Sequence, residues 1–78
     1  MNLKESTFAA VEAMDKWADY LEVYSFMKDN GYFVGNSKTP EKSVASELYK
    51  HASAGLIERE KVDNKPIYKK KARIVEHR

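Results

Sequence analysis

The segment "KTPEKSVASELYK", residues 38 to 50, gathers Lys38, Thr39, Lys42, Ser43, Ser46 and Lys50 within a few helical turns. Lysines bind phosphates and serine hydroxyls bond to base edges, so on one helix face these residue types suit the major groove of a duplex. Lys38 and Lys42 fall at the start of the segment, where free backbone N–H groups and the helix dipole already favour a phosphate. Glu47 opposes a phosphate backbone, although a carboxylate can accept from a cytosine amine. A second basic run, "YKKKAR", holds Lys69, Lys70, Lys71 and Arg73, with Lys65 just upstream. Such a run binds polyanions with little sequence preference. The helical segment contains no arginine for the two-pronged contact to guanine, so weak or shape-driven reading of sequence is expected.

Catalytic signatures are missing from the sequence. Glu47 and His51 stand four apart, which is ligand spacing on a helix, but two ligands do not define a metal site. There is no pair of acid/base carboxylates, no nucleophile beside a base and no phosphate-cradling glycine loop. No enzymatic activity, cofactor, metal or small-molecule substrate is expected. Trp17, Tyr20, Tyr24, Phe26, Tyr32 and Phe33 have the chemistry of base-stacking platforms, but so small a chain needs large side chains inside, and core packing is the expected use. Tyr32 and Phe33 lie beside Gly31 and Gly35, where exposed rings become anchors for a protein partner.

These residues must be positioned by a single small domain. The chain has 78 residues, 42% hydrophobic and 33% charged, with three glycines, two prolines and no cysteine. No apolar run nears the roughly 18 residues that span a bilayer, and the opening "MNLKESTF" lacks the apolar stretch of a signal peptide. A cytoplasmic or nucleoid-associated protein without membrane contact is expected. Ser6 to Asn30 contains neither glycine nor proline and repeats apolar residues at helical spacing through Phe8, Val11, Met14, Ala18, Tyr20, Val23, Tyr24 and Met27. One continuous helix would fit this stretch, but Asp19 and Glu22 have capping-box spacing, which favours two. Gly31 ends the second. Thr39-Pro40 starts a third, with threonine as N-cap and proline at the first helical position, running to about Ala54 before Gly55.

At 100° per residue the third helix places Glu41, Val44, Ala45, Leu48, Tyr49 and Ala52 inward and Ser43, Ser46, Glu47, Lys50 and Ser53 outward. "LIEREKV", "DNKP" and "IYKKK" then read as strand, turn and strand, with Pro66 in the turn or at a strand edge. Three helices followed by a hairpin give an α+β, mostly α, winged helix, ordered over about 6–71, with a basic tail over 72–78.

Charge is unevenly placed. Residues 1 to 37 carry Lys4, Lys16 and Lys28 against six acids, whereas residues 38 to 78 carry eleven bases against six acids. The basic half suits an anionic partner, and the acidic half offers a second surface.

"TFAAVEAM", "EVYSFMKDNGYF" and above all "KTPEKSVASELYKHASAGLIE" resemble the HARE-HTH domain, a winged-helix family found in the delta subunit of bacterial RNA polymerase, in chromatin-associated proteins and fused to restriction endonucleases. Thr39-Pro40, Ser43-Val44 and Leu48-Tyr49 carry the most specific part of the resemblance. The turn "WADYL" is shorter than the family's usual loop, and "VDNKPIYKK" is longer and more basic than its usual end. The resemblance implies a non-catalytic binding module. The expected partner is double-stranded DNA, met by the third helix and a basic wing. The alternative is a protein, such as RNA polymerase or a nuclease, met through Asp15, Asp19, Glu22, Tyr32 and Phe33, with Glu12 and Asp29 extending the acidic surface of the first two helices.

Overall fold

The computed structural model describes residues 2–71. The side chain of Asn2 accepts a hydrogen bond from the Glu5 N–H at 2.8 Å, and this cap starts helix α1, Leu3–Met14, earlier than the apolar periodicity from Ser6 suggests. Asp15 ends α1 in the left-handed conformation at φ 50°. The inward face of α1 is small, with Ser6, Thr7, Ala10 and Val11 buried, which lets its neighbours approach closely.

Helix α2, Tyr20–Asp29, begins on the capping box read from the sequence: Asp19 accepts from the Glu22 N–H at 2.9 Å and Glu22 accepts from the Asp19 N–H at 3.3 Å. Beyond it, the Tyr32 N–H reaches the Met27 carbonyl at 2.8 Å, while Gly31 turns the chain at φ 74°. This is a Schellman closure, in which a residue free to take positive φ lets two late carbonyls find partners.

Helix α3, Pro40–Ser53, has Thr39 at its N-cap position, but the threonine side chain makes no capping bond. Asn2 and Asp19 cap from extended backbone with ψ of 173° and 175°, whereas Thr39 has ψ 69°, which aims its hydroxyl away from the first-turn N–H groups. Its hydroxyl instead lies 3.5 Å from that of Ser37. Pro40, which has no N–H to satisfy, still starts the helix. The far end closes as α2 does, with the Leu56 N–H on the His51 carbonyl at 2.9 Å and Gly55 at φ 79°.

Strands β1, Ile57–Val62, and β2, Lys65–Lys70, form an antiparallel hairpin in which Arg59 faces Tyr68 and Lys61 faces Pro66. The turn is only Asp63-Asn64, both at positive φ (52° and 64°), the mirror-image turn whose twist matches that of the strands. Lys65 and Pro66 therefore belong to β2 and not to the turn. Tyr68, of the same parity as Pro66, directs its N–H and C=O away from β1, to Ala18. Pro66 thus stands where a missing N–H costs the hairpin no ladder bond.

Ala18, between α1 and α2, makes both bonds of that bridge, N–H to the Tyr68 carbonyl at 2.9 Å and carbonyl from the Tyr68 N–H at 2.8 Å. It is a third strand reduced to one residue. Ala10, Val11, Ala18, Val23, Met27, Val44, Leu48, Ile57 and Tyr68 form the core where the three helices meet the root of the hairpin. The layout is that of a winged helix. Among the described residues no helix is long and apolar enough to cross a membrane.

Candidate nucleic-acid interface

Burial on α3 follows Val44, Leu48 and His51, turning the core stripe away from the side expected from apolar residues alone. His51 is 3% exposed. Its Nε2 lies 2.9 Å from the Lys4 carbonyl, so that nitrogen carries the proton and donates, and the Phe8 ring meets the imidazole edge-on at a centroid distance of 5.7 Å. The N-terminal half of α1 draws the histidine side of α3 inward, and a bonded imidazole is an acceptable core group.

Two expectations change as a result. Tyr49, expected inward, is 58% exposed. Ser43, expected outward with Glu47, is half-buried like that residue. The fully exposed face of α3 consists of Lys42, Ser46, Tyr49, Lys50 and Ser53, a stripe at i, i+4, i+7, i+8 and i+11, with exposed Lys38 and Thr39 before it. Lys50 lies 3.8 Å from Glu47, one turn back. Lys38 and Lys42 make no ion pair among the described residues.

Alternation along β1 sets Arg59 and Lys61 on the sheet face of buried Ile57. Arg59 leans on the α3 stripe, its guanidinium carbon 5.7 Å from the Tyr49 ring centroid. Neither partner stands out in the sequence, Tyr49 because tyrosine resembles core and Arg59 because it lies in a strand. A strand entering directly after a Gly-closed helix was the available signal that the two would adjoin.

The wing lysines are largely engaged within the molecule. Lys65 Nζ is 2.9 Å from Asp19 Oδ2, Lys70 Nζ is 3.7 Å from Asp15 Oδ1, and Lys71 Nζ donates to the Gly55 carbonyl at 3.1 Å. Lys69 is half-buried, opposite Glu58. Arg73 lies outside the described residues. Of the acids expected on a protein-contact surface, Asp19 and Asp15 are the other halves of the Lys65 and Lys70 pairs and Glu22 holds Lys16 at 3.8 Å, while Glu12 and Asp29 are exposed. Of the aromatic candidates, Tyr32 is half-buried against Phe26, centroids 5.7 Å apart, and Phe33 is 41% exposed. Among the described residues, no group of three or more His, Cys, Asp or Glu side chains is arranged to hold a metal ion.

Asp19 joins the helix cap to the wing, and its electrostatics can be tested. Burial alone would push its carboxyl up, but the hydrogen bond from Lys65, the Glu22 N–H and the Lys65 charge together hold it below its ordinary 3.8. The Lys65 ammonium is raised in turn by the hydrogen bond and charge of Asp19. A carboxylate depressed in the folded state contributes fully above its unfolded value and loses that contribution as pH falls through the folded one. Asp19→Ala is expected to cost about 1–2 kcal/mol at neutral pH, because the cap and the ion pair go together. Asp19→Asn keeps a capping oxygen, so its smaller deficit should shrink as pH falls through the depressed folded value of the native carboxylate. Urea unfolding at neutral and acid pH measures both, and an Asp19→Ala protein as stable as the native one at neutral pH would refute the assignment.

Comparison with family models, curated proteins and solved structures gives no match to this chain.

Proposed function

We propose that this chain is a DNA-binding winged helix that lays α3 in the major groove of a duplex, with no catalytic activity of its own. The observation that carries the reading is the exposed stripe of Lys42, Ser46, Tyr49, Lys50 and Ser53, led by Lys38 and Thr39 and flanked by Arg59 and Lys61. A major groove about 12 Å wide admits one helix, and polar and cationic side chains on its outer face are what base edges and phosphates require. The resemblance of Thr39-Pro40, Ser43-Val44 and Leu48-Tyr49 to the HARE-HTH domain points the same way. The protein-docking alternative has Asp19 largely covered by its pair with Lys65, keeps Asp15 and Glu22 exposed beside Lys70 and Lys16, and has exposed Phe33 as its clearest anchor.

Fluorescence anisotropy of a mixed-sequence duplex at about 50 to 200 mM salt tests the proposal. Four phosphate contacts imply a fall in affinity of about 150-fold across that range. Absence of binding at the lowest salt, or binding indifferent to salt, would reject it.

A further inference from the structure

We infer that Arg59, braced on Tyr49, is the guanine-reading residue of this interface. The inference rests on the DNA-binding reading above and adds to it the base recognised and the residue responsible.

Helix α3 has no arginine, but β1 brings one to it. Arg59 and Tyr49 are both exposed, and the guanidinium lies over the ring at 5.7 Å from its centroid, at the seam between helix face and wing. The neighbours of Arg59 on its side of the sheet are Ile57, Lys61, Pro66, Tyr68 and Lys70, none of them an acid. Alternation turns Glu58 and Glu60 to the opposite side. Arg59 makes no ion pair or hydrogen bond among the described residues, so its donors are uncommitted while its plane is restrained. A ring beneath a guanidinium limits the rotamers open to the side chain and leaves the fork edge free to donate. That edge matches the paired acceptors O6 and N7 that guanine presents in the major groove, a pattern a lysine cannot meet with two parallel bonds. Lys42, Lys38 and Lys61 provide the surrounding positive charge that holds a phosphate backbone without reading sequence.

Selection from a randomised duplex library, followed by anisotropy on the selected duplex and its guanine-substituted versions, tests the assignment. The native protein is expected to enrich guanine at one position. Arg59→Lys keeps the charge and is expected to retain the salt slope while losing about 5- to 150-fold of guanine discrimination. Tyr49→Ala should lose part of the same discrimination, and Tyr49→Phe, which keeps the ring, should restore it. If Arg59→Lys discriminates as well as the native protein, or if the native protein binds duplexes without any base preference, guanine reading by Arg59 is overturned and DNA binding stands. If the native protein binds no duplex at all, both fall together.

Discussion

Reversing Lys42 and Lys50 together to glutamate is expected to weaken duplex binding by about 100-fold at about 100 mM salt while leaving the fold unchanged. Each phosphate contact made by a lysine contributes roughly 1.2 kcal/mol at that salt through counterion release, so losing two costs about 60-fold and repulsion adds to it. Both side chains stand on the exposed stripe of α3. Lys50 has one partner, Glu47 at 3.8 Å, and a like-charge pair one helical turn apart costs only a few tenths of a kcal/mol. The salt slope should fall by about two along with the affinity. Far-UV circular dichroism establishes that the variant is folded, and anisotropy reads the rest. A folded variant with native affinity and native slope would remove α3 from the interface.

Leu48→Ala is expected to leave the protein mostly unfolded near room temperature. Leu48 is wholly buried at the centre of α3 and is among the largest side chains so enclosed. A leucine-to-alanine change in a core costs about 2–5 kcal/mol, and a domain of this size rarely has more than about 3–5 kcal/mol in its core. Where a transition survives, its midpoint should drop by at least about 10 °C, since each kcal/mol is worth about 4–8 °C in so short a chain. Tyr49→Ala serves as the contrast. The adjacent residue is exposed, so its truncation should move the melt by only a few degrees, and equal effects at the two positions would contradict the orientation of α3.

Tyr49 and Leu48 also show where sequence reading succeeds and fails. The start of α2, its end and both ends of α3 were legible because their causes are local: Asp19 and Glu22 reach each other across one turn, Gly31 and Gly55 supply positive φ, and Pro40 needs no N–H partner, whereas the Asn2 cap that starts α1 at Leu3 lies ahead of the apolar periodicity. The order of three helices and a hairpin follows from them. The orientation of α3 was not legible, because it is decided by a carbonyl at Lys4 and a ring at Phe8, far away in sequence, that give His51 a place inside. A helical wheel ranks tyrosine above histidine for burial and has no access to those partners.

The charge asymmetry misled in a related way. Acids in the first half and lysines in the second suggest two outward surfaces, yet Asp15 and Asp19 meet Lys70 and Lys65 once the wing folds back on the α1–α2 corner. Composition counts charges and is silent about which of them satisfy one another. Among the described residues, the exposed bases of the second half with no ion pair or hydrogen bond are Lys38, Lys42, Arg59 and Lys61, a smaller and more sharply placed set than the count implied.

The single bridge between Ala18 and Tyr68 also bears on where this fold can change length. One residue inserted between Asp15 and Asp19 would slide Ala18 out of step with Tyr68 and detach the root of the hairpin from the helices. Paired residues added symmetrically at Asp63-Asn64 would lengthen the wing and disturb nothing below it. Drift in such proteins, or deliberate engineering, has an open site at the tip of the wing and a closed one at its base, so reach along a ligand can vary while the angle between wing and α3 is kept.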